Sequence, residues 1–158
     1  MQRASYENKL IPVIEAKDYG SAGIDGDSVN MALLHRIAFQ LLFGAITGNS
    51  ILKFYAGASA GTKTTALAFN YRLSGGDYKA TDADTSAAEV AVASTGLTLT
   101  ATTYDHRQLV VGFESDVMPT GKPWLTLEID STATVMLVAC AGIGSPLYGG
   151  GPSSPTCI

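Results

Sequence analysis

Hydrophobic and polar positions alternate with a period of two over much of this chain, as in strands with one face buried. In "TALAFNYRL", Leu67, Phe69, Tyr71 and Leu73 point one way, and Ala66, Ala68, Asn70 and Arg72 point the other. The stretch from Met31 to Phe43 mixes good helix formers with strict alternation of Ile37, Phe39, Leu41 and Phe43 against Ala38, Gln40 and Leu42. The period predicts a strand, entered through a short helical turn around residues 32–35, left by the turn "GAITGNS" and followed by a second strand, "ILKFYAG".

Further along, "LTLTATTY" (97–104), "RQLVVGFES" (107–115), "WLTLEID" (124–130) and "TVMLVACAG" (134–142) read as strands. Their connectors "DH", "DVMPTGKP" and "STA" are short and turn-like. Between Leu73 and Leu97 the chain is polar and rich in small residues, and "SAAEVAVA" fits either a helical turn or a loose edge strand. About eight closely spaced strands without alternating βα units predict an all-β fold, an antiparallel β-sandwich or jelly roll.

Both ends depart from the period. Residues 1–26 carry Pro12, Gly20, Gly23 and Gly26, with a single apolar piece, 10–14, suited to a sheet edge. They read as an N-terminal arm, with regular structure starting near Ser28. Residues 27–145 form the sandwich domain, and 146–158, rich in Pro, Gly and Ser, read as a C-terminal arm.

Composition narrows the function classes. At 158 residues the chain is the size of one domain, able to bury roughly 70% of its unfolded surface. Hydrophobic residues make up 46% and charged ones 15%, with 17 glycines. The net charge is −4 and the ten Lys and Arg are scattered, which argues against nucleic-acid binding. Weak self-repulsion instead suits a protein packed against many copies of a partner. Cys140 and Cys157, with His35 and His106, fit no metal spacing and read as free thiols of a reducing compartment. The longest apolar stretch is interrupted by His35, Arg36 and Gln40, and the N-terminus lacks a signal-peptide core. Membrane spanning and secretion are not expected.

No chemical motif is complete. "GASAGTKTTALAF" resembles a phosphate loop, yet Gly57 and Gly61 are one residue too close, Thr62 separates Gly61 from Lys63, and a strand follows instead of a helix. It reads as a hairpin loop with a flexible tip. "IDGDS" and "DADTS" begin a calcium-ligand series without completing it and read as turns. Asp105 and His106 are adjacent in an expected two-residue turn, with no nucleophile elbow anywhere. Glu114, Asp116, Glu128 and Asp130 fall on two strands expected to be neighbours, an arrangement known from glycoside chemistry, but they read as solvated strand ends. Trp124 reads as an anchor in the core or an interface. No catalytic residue, cofactor or metal is therefore expected.

The order of segments "SVNMALLHRIAFQLLFGAITGNSILKFYAGASAGTKTTALAFNYRLSGGDY", "LTLTATTYDHRQLVVGFESD" and "PWLTLEIDSTATVMLVACAGIGSPLYGG" resembles that of small tailed-bacteriophage virion proteins of the capsid decoration or cement type. The resemblance covers roughly residues 25–149. It implies a non-enzymatic protein on the capsid exterior, made in the host cytoplasm, that bridges major capsid protein subunits and stabilises the shell. Avidity across several subunits and arms that order on docking would supply the affinity. The expected contacts are Tyr6, Leu10, Ile11, Tyr19, Lys63, Leu147 and Tyr148, and open strand edges would let the chain pair with itself as a dimer or trimer. A tail, fibre or head-closure component is one alternative. A carbohydrate-binding or hydrolytic sandwich is the alternative of another class.

Overall fold

The computed structural model describes residues 8–77, 81 and 84–147. In chain order its strands are β1 (Lys9–Asp18), β2 (Ile24–Asp25), β3 (Val29–Asn30), β4 (Leu34–Thr47), β5 (Asn49–Gly57) and β6 (Thr65–Leu67). There follow β7 (Phe69–Leu73), β8 (Val90–Val92), β9 (Leu97–Thr100), a helical turn α1 (Ala101–Tyr104), β10 (Gln108–Glu114), β11 (Trp124–Ser131) and β12 (Val135–Pro146). The first sheet has the order β1-β12-β4-β10-β7-β8; the second runs β2-β11-β5-β6, with β3 also beside β11 and β9 beside β5. All pairings are antiparallel. The all-β sandwich expected from the alternation is the architecture observed.

The core lies between the sheets. Ile37, Phe39, Leu41 and Phe43 of β4 are each 1% exposed or less, as their spacing predicts. Phe54 of the second sheet meets three rings of the first: Phe39 at 5.2 Å, Phe113 at 4.9 Å and Phe69 at 5.0 Å between centroids. Burying each such side chain contributes roughly 1.5–3 kcal/mol. The anticipated helical turn before β4 is a 3₁₀ turn, Met31–Leu33, whose first N–H groups need an outside acceptor. The Asn30 side chain accepts the N–H of Ala32 at 3.0 Å.

Three expectations are corrected. "TALAFNYRL" keeps its alternation, but it is two strands, β6 in the second sheet and β7 in the first, with the change at Ala68. Both inner faces look onto one core, so crossing between sheets leaves the period undisturbed. The strand expected over 97–104 ends at Thr100, where α1 begins. That turn brings the Tyr104 ring to 6.4 Å from Phe43 and its hydroxyl to 3.2 Å from that of Tyr71. "DH" is consequently no hairpin turn: β9 pairs with β5 in one sheet and β10 with β4 and β7 in the other. The ambiguous "SAAEVAVA" supplies the edge strand β8.

Among the described residues regular structure begins at Lys9, not near Ser28, because β1 pairs with β12 from Lys9↔Gly144 to Asp18↔Leu137. Of the described residues of the expected N-terminal arm, 8–26, most are thus sheet, and its apolar piece lies along the edge. Pro12 supplies no N–H, and register shifts flank Ile14. The carbonyl of Val13 accepts the N–H of Asp27 at 3.0 Å, and Gly26 donates to Leu127 at 2.8 Å. Residues 24–27 so stitch the margin of the first sheet to the second. At the other end β12 reaches Pro146, and the N–H of Leu147 donates to Leu33 at 3.0 Å. Among the described residues no helix is long and apolar enough to cross a membrane.

Candidate functional site

The loop from Ala58 to Thr64 joins β5 to β6 and folds flat onto the second sheet. Several of its polar groups are satisfied locally: Thr62 Oγ1 donates to the Ser59 carbonyl at 2.6 Å, and Thr64 Oγ1 donates to that of Ala56 at 3.0 Å. The turn closes so tightly that a Cβ on Gly57 would lie 2.0 Å from the Thr62 carbonyl oxygen, a position only glycine permits. Ser28 Oγ, buried on the sheet below, accepts the N–H of Gly61 at 2.8 Å and lies 2.7 Å from Thr126 Oγ1. The loop is therefore fastened at its tip, where a flexible tip was expected.

Lys63 completes the fastening. Its Nζ donates to Asp25 Oδ1 and Oδ2 at 2.8 and 3.0 Å and to Glu128 Oε2, while Tyr55 Oη donates to Glu128 Oε1 at 3.3 Å. Partial burial pushes the Lys63 ammonium down, but hydrogen bonds and charges of Asp25 and Glu128 outweigh it and leave the pKa raised. An ammonium held between two carboxylates is an internal clamp. It is not poised to receive a phosphate.

The expected contact residues do not converge. Tyr6 and Tyr148 lie outside the described residues. Ile11 is 1% exposed and packs in the core, so its expected role as a surface contact is corrected: on β1 its side chain faces inward. Its neighbour Leu10 points out and is 71% exposed. Tyr19 packs partly against the core, donates its hydroxyl to the Glu15 carbonyl at 3.1 Å and carries Lys17 Nζ 4.9 Å from its ring centroid. Lys63 sits on the second sheet in its clamp. Leu147 lines a depression of about 380 Å³ with Met31, Ala32, Met118, Pro119 and Pro123 at one end of the sandwich.

Other chemistry is dispersed. Glu114 and Glu128 are not on neighbouring strands, since β10 and β11 belong to opposite sheets. Their carboxylates face away from each other on the two outer surfaces. Asp105 Oδ2 lies 3.7 Å from His106 Nε2, but its Oδ1 accepts the N–H of Ile46 at 2.8 Å. The pair closes a turn in which His106 has φ 53°. Trp124 is half-buried on β11 opposite Asn30 and Gly57. Among the described residues no three His, Cys, Asp or Glu side chains group as metal ligands. Cys140 is free and buried, and burial pushes its thiol pKa up to about 12.

What does converge is the solvent face of the first sheet. Residues paired across an antiparallel ladder share a face, and the registers align Leu10, Ile143, Ala38, Gly112 and Asn70 in one row. The next row is Pro12, Ala141, Gln40, Val110 and Arg72, and Ala139, Leu42 and Gln108 form a third. Leu137 stands beyond, against Gly44. From β1 to β10 these three rows hold no charged residue. Charges stand at its margins: Glu15, Lys17 and Asp18 of β1 beside Ala139 and Leu137, Arg36 opposite Glu114, and Arg72 3.8 Å from Glu89. Four large exposed hydrophobics gather here: Leu10, Leu42 at 39%, Leu137 at 42% and Ile143 at 37%. The second sheet's outer face instead carries Lys53, Tyr55, Glu128 and Asp130.

The apolar face was missed by sequence reasoning that sought contacts in the arms. Its signal was present: the outward positions from 38 to 44 in β4 and from 137 to 143 in β12 are Ala, Gln, Leu, Gly and Ile, where a solvated strand would place Lys, Glu or Thr. Broad exposed apolar patches are a common feature of interaction surfaces.

A scan against protein-family models finds no match for this chain, and searches of curated proteins and of solved structures find none either.

Proposed function

We propose that this chain is a non-enzymatic structural protein of a bacteriophage virion, which decorates the capsid exterior and stabilises it by bridging major capsid protein subunits. The observation that carries the reading is the uncharged apolar face of the first sheet, which water covers poorly and another protein surface covers well. The order of the strand segments, with its resemblance to decoration proteins, supplies the partner. A fastened loop and an occupied Lys63 speak for a rigid body used for contact.

In such a role, many weak contacts on a repeating lattice add up to firm attachment. The test is to mix the purified chain with shells lacking it, image the particles and count bound copies. Hundreds of copies per shell, with greater resistance to heat and osmotic shock, are expected. A handful of copies at one vertex, or no binding, overturns the reading.

A further inference from the structure

We infer that the Asp25–Gly26 bond is a latent site of spontaneous covalent modification, isomerisation to a β-aspartyl linkage, which the Lys63 clamp holds silent. Asp followed by Gly occurs once in the chain. It is the dipeptide in which this reaction meets least resistance, because the second residue has no β-carbon to hinder its nitrogen from approaching the Asp carboxyl. Packing puts the glycine there: a Cβ at position 26 would stand 2.8 Å from Val13 Cγ1 and 3.4 Å from Ile14 Cγ1. Both side chains are buried, and β-branching makes them stiff. A larger residue at 26 would collide with the core, so the fold keeps the reactive pair and restrains it.

In the reaction the Gly26 nitrogen attacks Cγ of the protonated Asp25 carboxyl and forms a new N–C bond. The amide hydrogen and the carboxyl hydroxyl leave together as water, and a five-membered succinimide ring results. Water then adds back and breaks one of the ring's two N–C bonds. Cleavage on the main-chain side routes the backbone through the former side chain, lengthens it by one carbon and leaves the free carboxylate on Cα. Every group that has to move is held. The Gly26 N–H donates to the Leu127 carbonyl at 2.8 Å, and the Asp27 N–H donates to that of Val13 at 3.0 Å. Both Asp25 oxygens accept from Lys63 Nζ, at 2.8 and 3.0 Å. A carboxylate paired in this way lacks the proton that lets its oxygen leave as water. Exclusion of solvent is not the protection: the Asp25 side chain is 56% exposed, beside an open depression of about 320 Å³ lined by Ile24, Glu128 and Asp130. Once released, the carboxyl has both room to turn and water to react with. After isomerisation it sits one carbon nearer the main chain and falls short of Lys63, while the longer backbone puts Gly26 and Asp27 out of step with Leu127 and Val13. One event unfastens both the loop and the stitch between the sheets.

The experiment stores the full native chain, its variants Lys63→Met, Lys63→Gln and Lys63→Arg, and a synthetic peptide of residues 18–36 for several weeks at 37 °C and pH 7. Trypsin cuts after Lys17 and Arg36 and so releases the same segment from each protein. Electron-transfer fragmentation then distinguishes a β-aspartyl linkage at position 25 from one at position 27. The peptide should isomerise at position 25 at least tenfold faster than the native chain. Lys63→Met and the milder Lys63→Gln, judged only where the circular dichroism spectrum is that of the native chain, should react at least threefold faster than native. Lys63→Arg, which restores a cation, should bring the rate back near the native one. A native chain that isomerises as fast as the peptide overturns the inference, whatever the variants do. A folded Lys63→Met or Lys63→Gln chain that reacts no faster than native overturns it too, and so does a folded Lys63→Arg chain that reacts as fast as Lys63→Met.

Discussion

Ser28 and Thr126, 98 positions apart in sequence, join hydroxyls at 2.7 Å in a buried site, and the Ser28 oxygen also receives the N–H of Gly61. One side chain thus ties a surface loop to the middle of the second sheet. Ser28→Ala removes both bonds and strands the buried Thr126 hydroxyl, so a loss of about 1–2 kcal/mol is expected. Urea unfolding measures the loss. Amide exchange at residues 58–64 should quicken in the same variant, and an unchanged exchange rate there would show that Ser28 does not hold the loop.

The Lys63 clamp predicts an alkaline dependence of stability. Its pKa is raised above the ordinary 10.5, so its contribution is complete below 10.5 and is lost as pH rises through the higher folded value. Lys63→Met should cost about 1 kcal/mol near neutral pH, a modest figure because the ion pairs are partly solvated. The gap between native and variant stability should close by the top of the accessible alkaline range. A gap that stays constant up to pH 12 would place the stabilisation in packing of the lysine stem.

Cys140 lies on β12 between Ile14 of β1 and Leu41 of β4, and its thiol, pushed up to about 12 by burial, is almost wholly protonated at pH 8. A Cys157→Ser chain should leave a thiol reagent such as dithionitrobenzoate unreacted for many minutes when native. One equivalent should react promptly in 6 M guanidinium chloride. Fast reaction of the native protein would mean that β1 lifts readily from β12.

The inner face of the sandwich was legible because burial writes a period of two into β4, β7, β10 and β11, and Phe39, Phe69 and Phe113 lie where that period puts them. The bounds of two strands, β1 and β9, were misread for local reasons. In β1 a register shift lets Val13 and Ile14 both turn inward, which cancels the alternation. In "LTLTATTY" Leu99 and Tyr104 are both buried at positions of opposite parity, a sign that one straight strand cannot serve both. The clamp was illegible in principle, since Lys63 meets partners 38 and 65 positions away and only the folded topology selects them. Expecting docking residues in the arms had a similar origin: which side of β1 faces the core depends on β12, more than a hundred residues later.

The hydrogen bond from Asp27 to the carbonyl of Val13 bears on how large an assembly can grow. A sheet margin that offered a full row of free peptide groups would accept strand after strand and build a fibre. Here one margin has a proline, two register shifts and a carbonyl already taken, and the other ends in the three residues of β8. Neither margin of the first sheet is therefore a template, and strand-by-strand growth of that sheet stops within one chain.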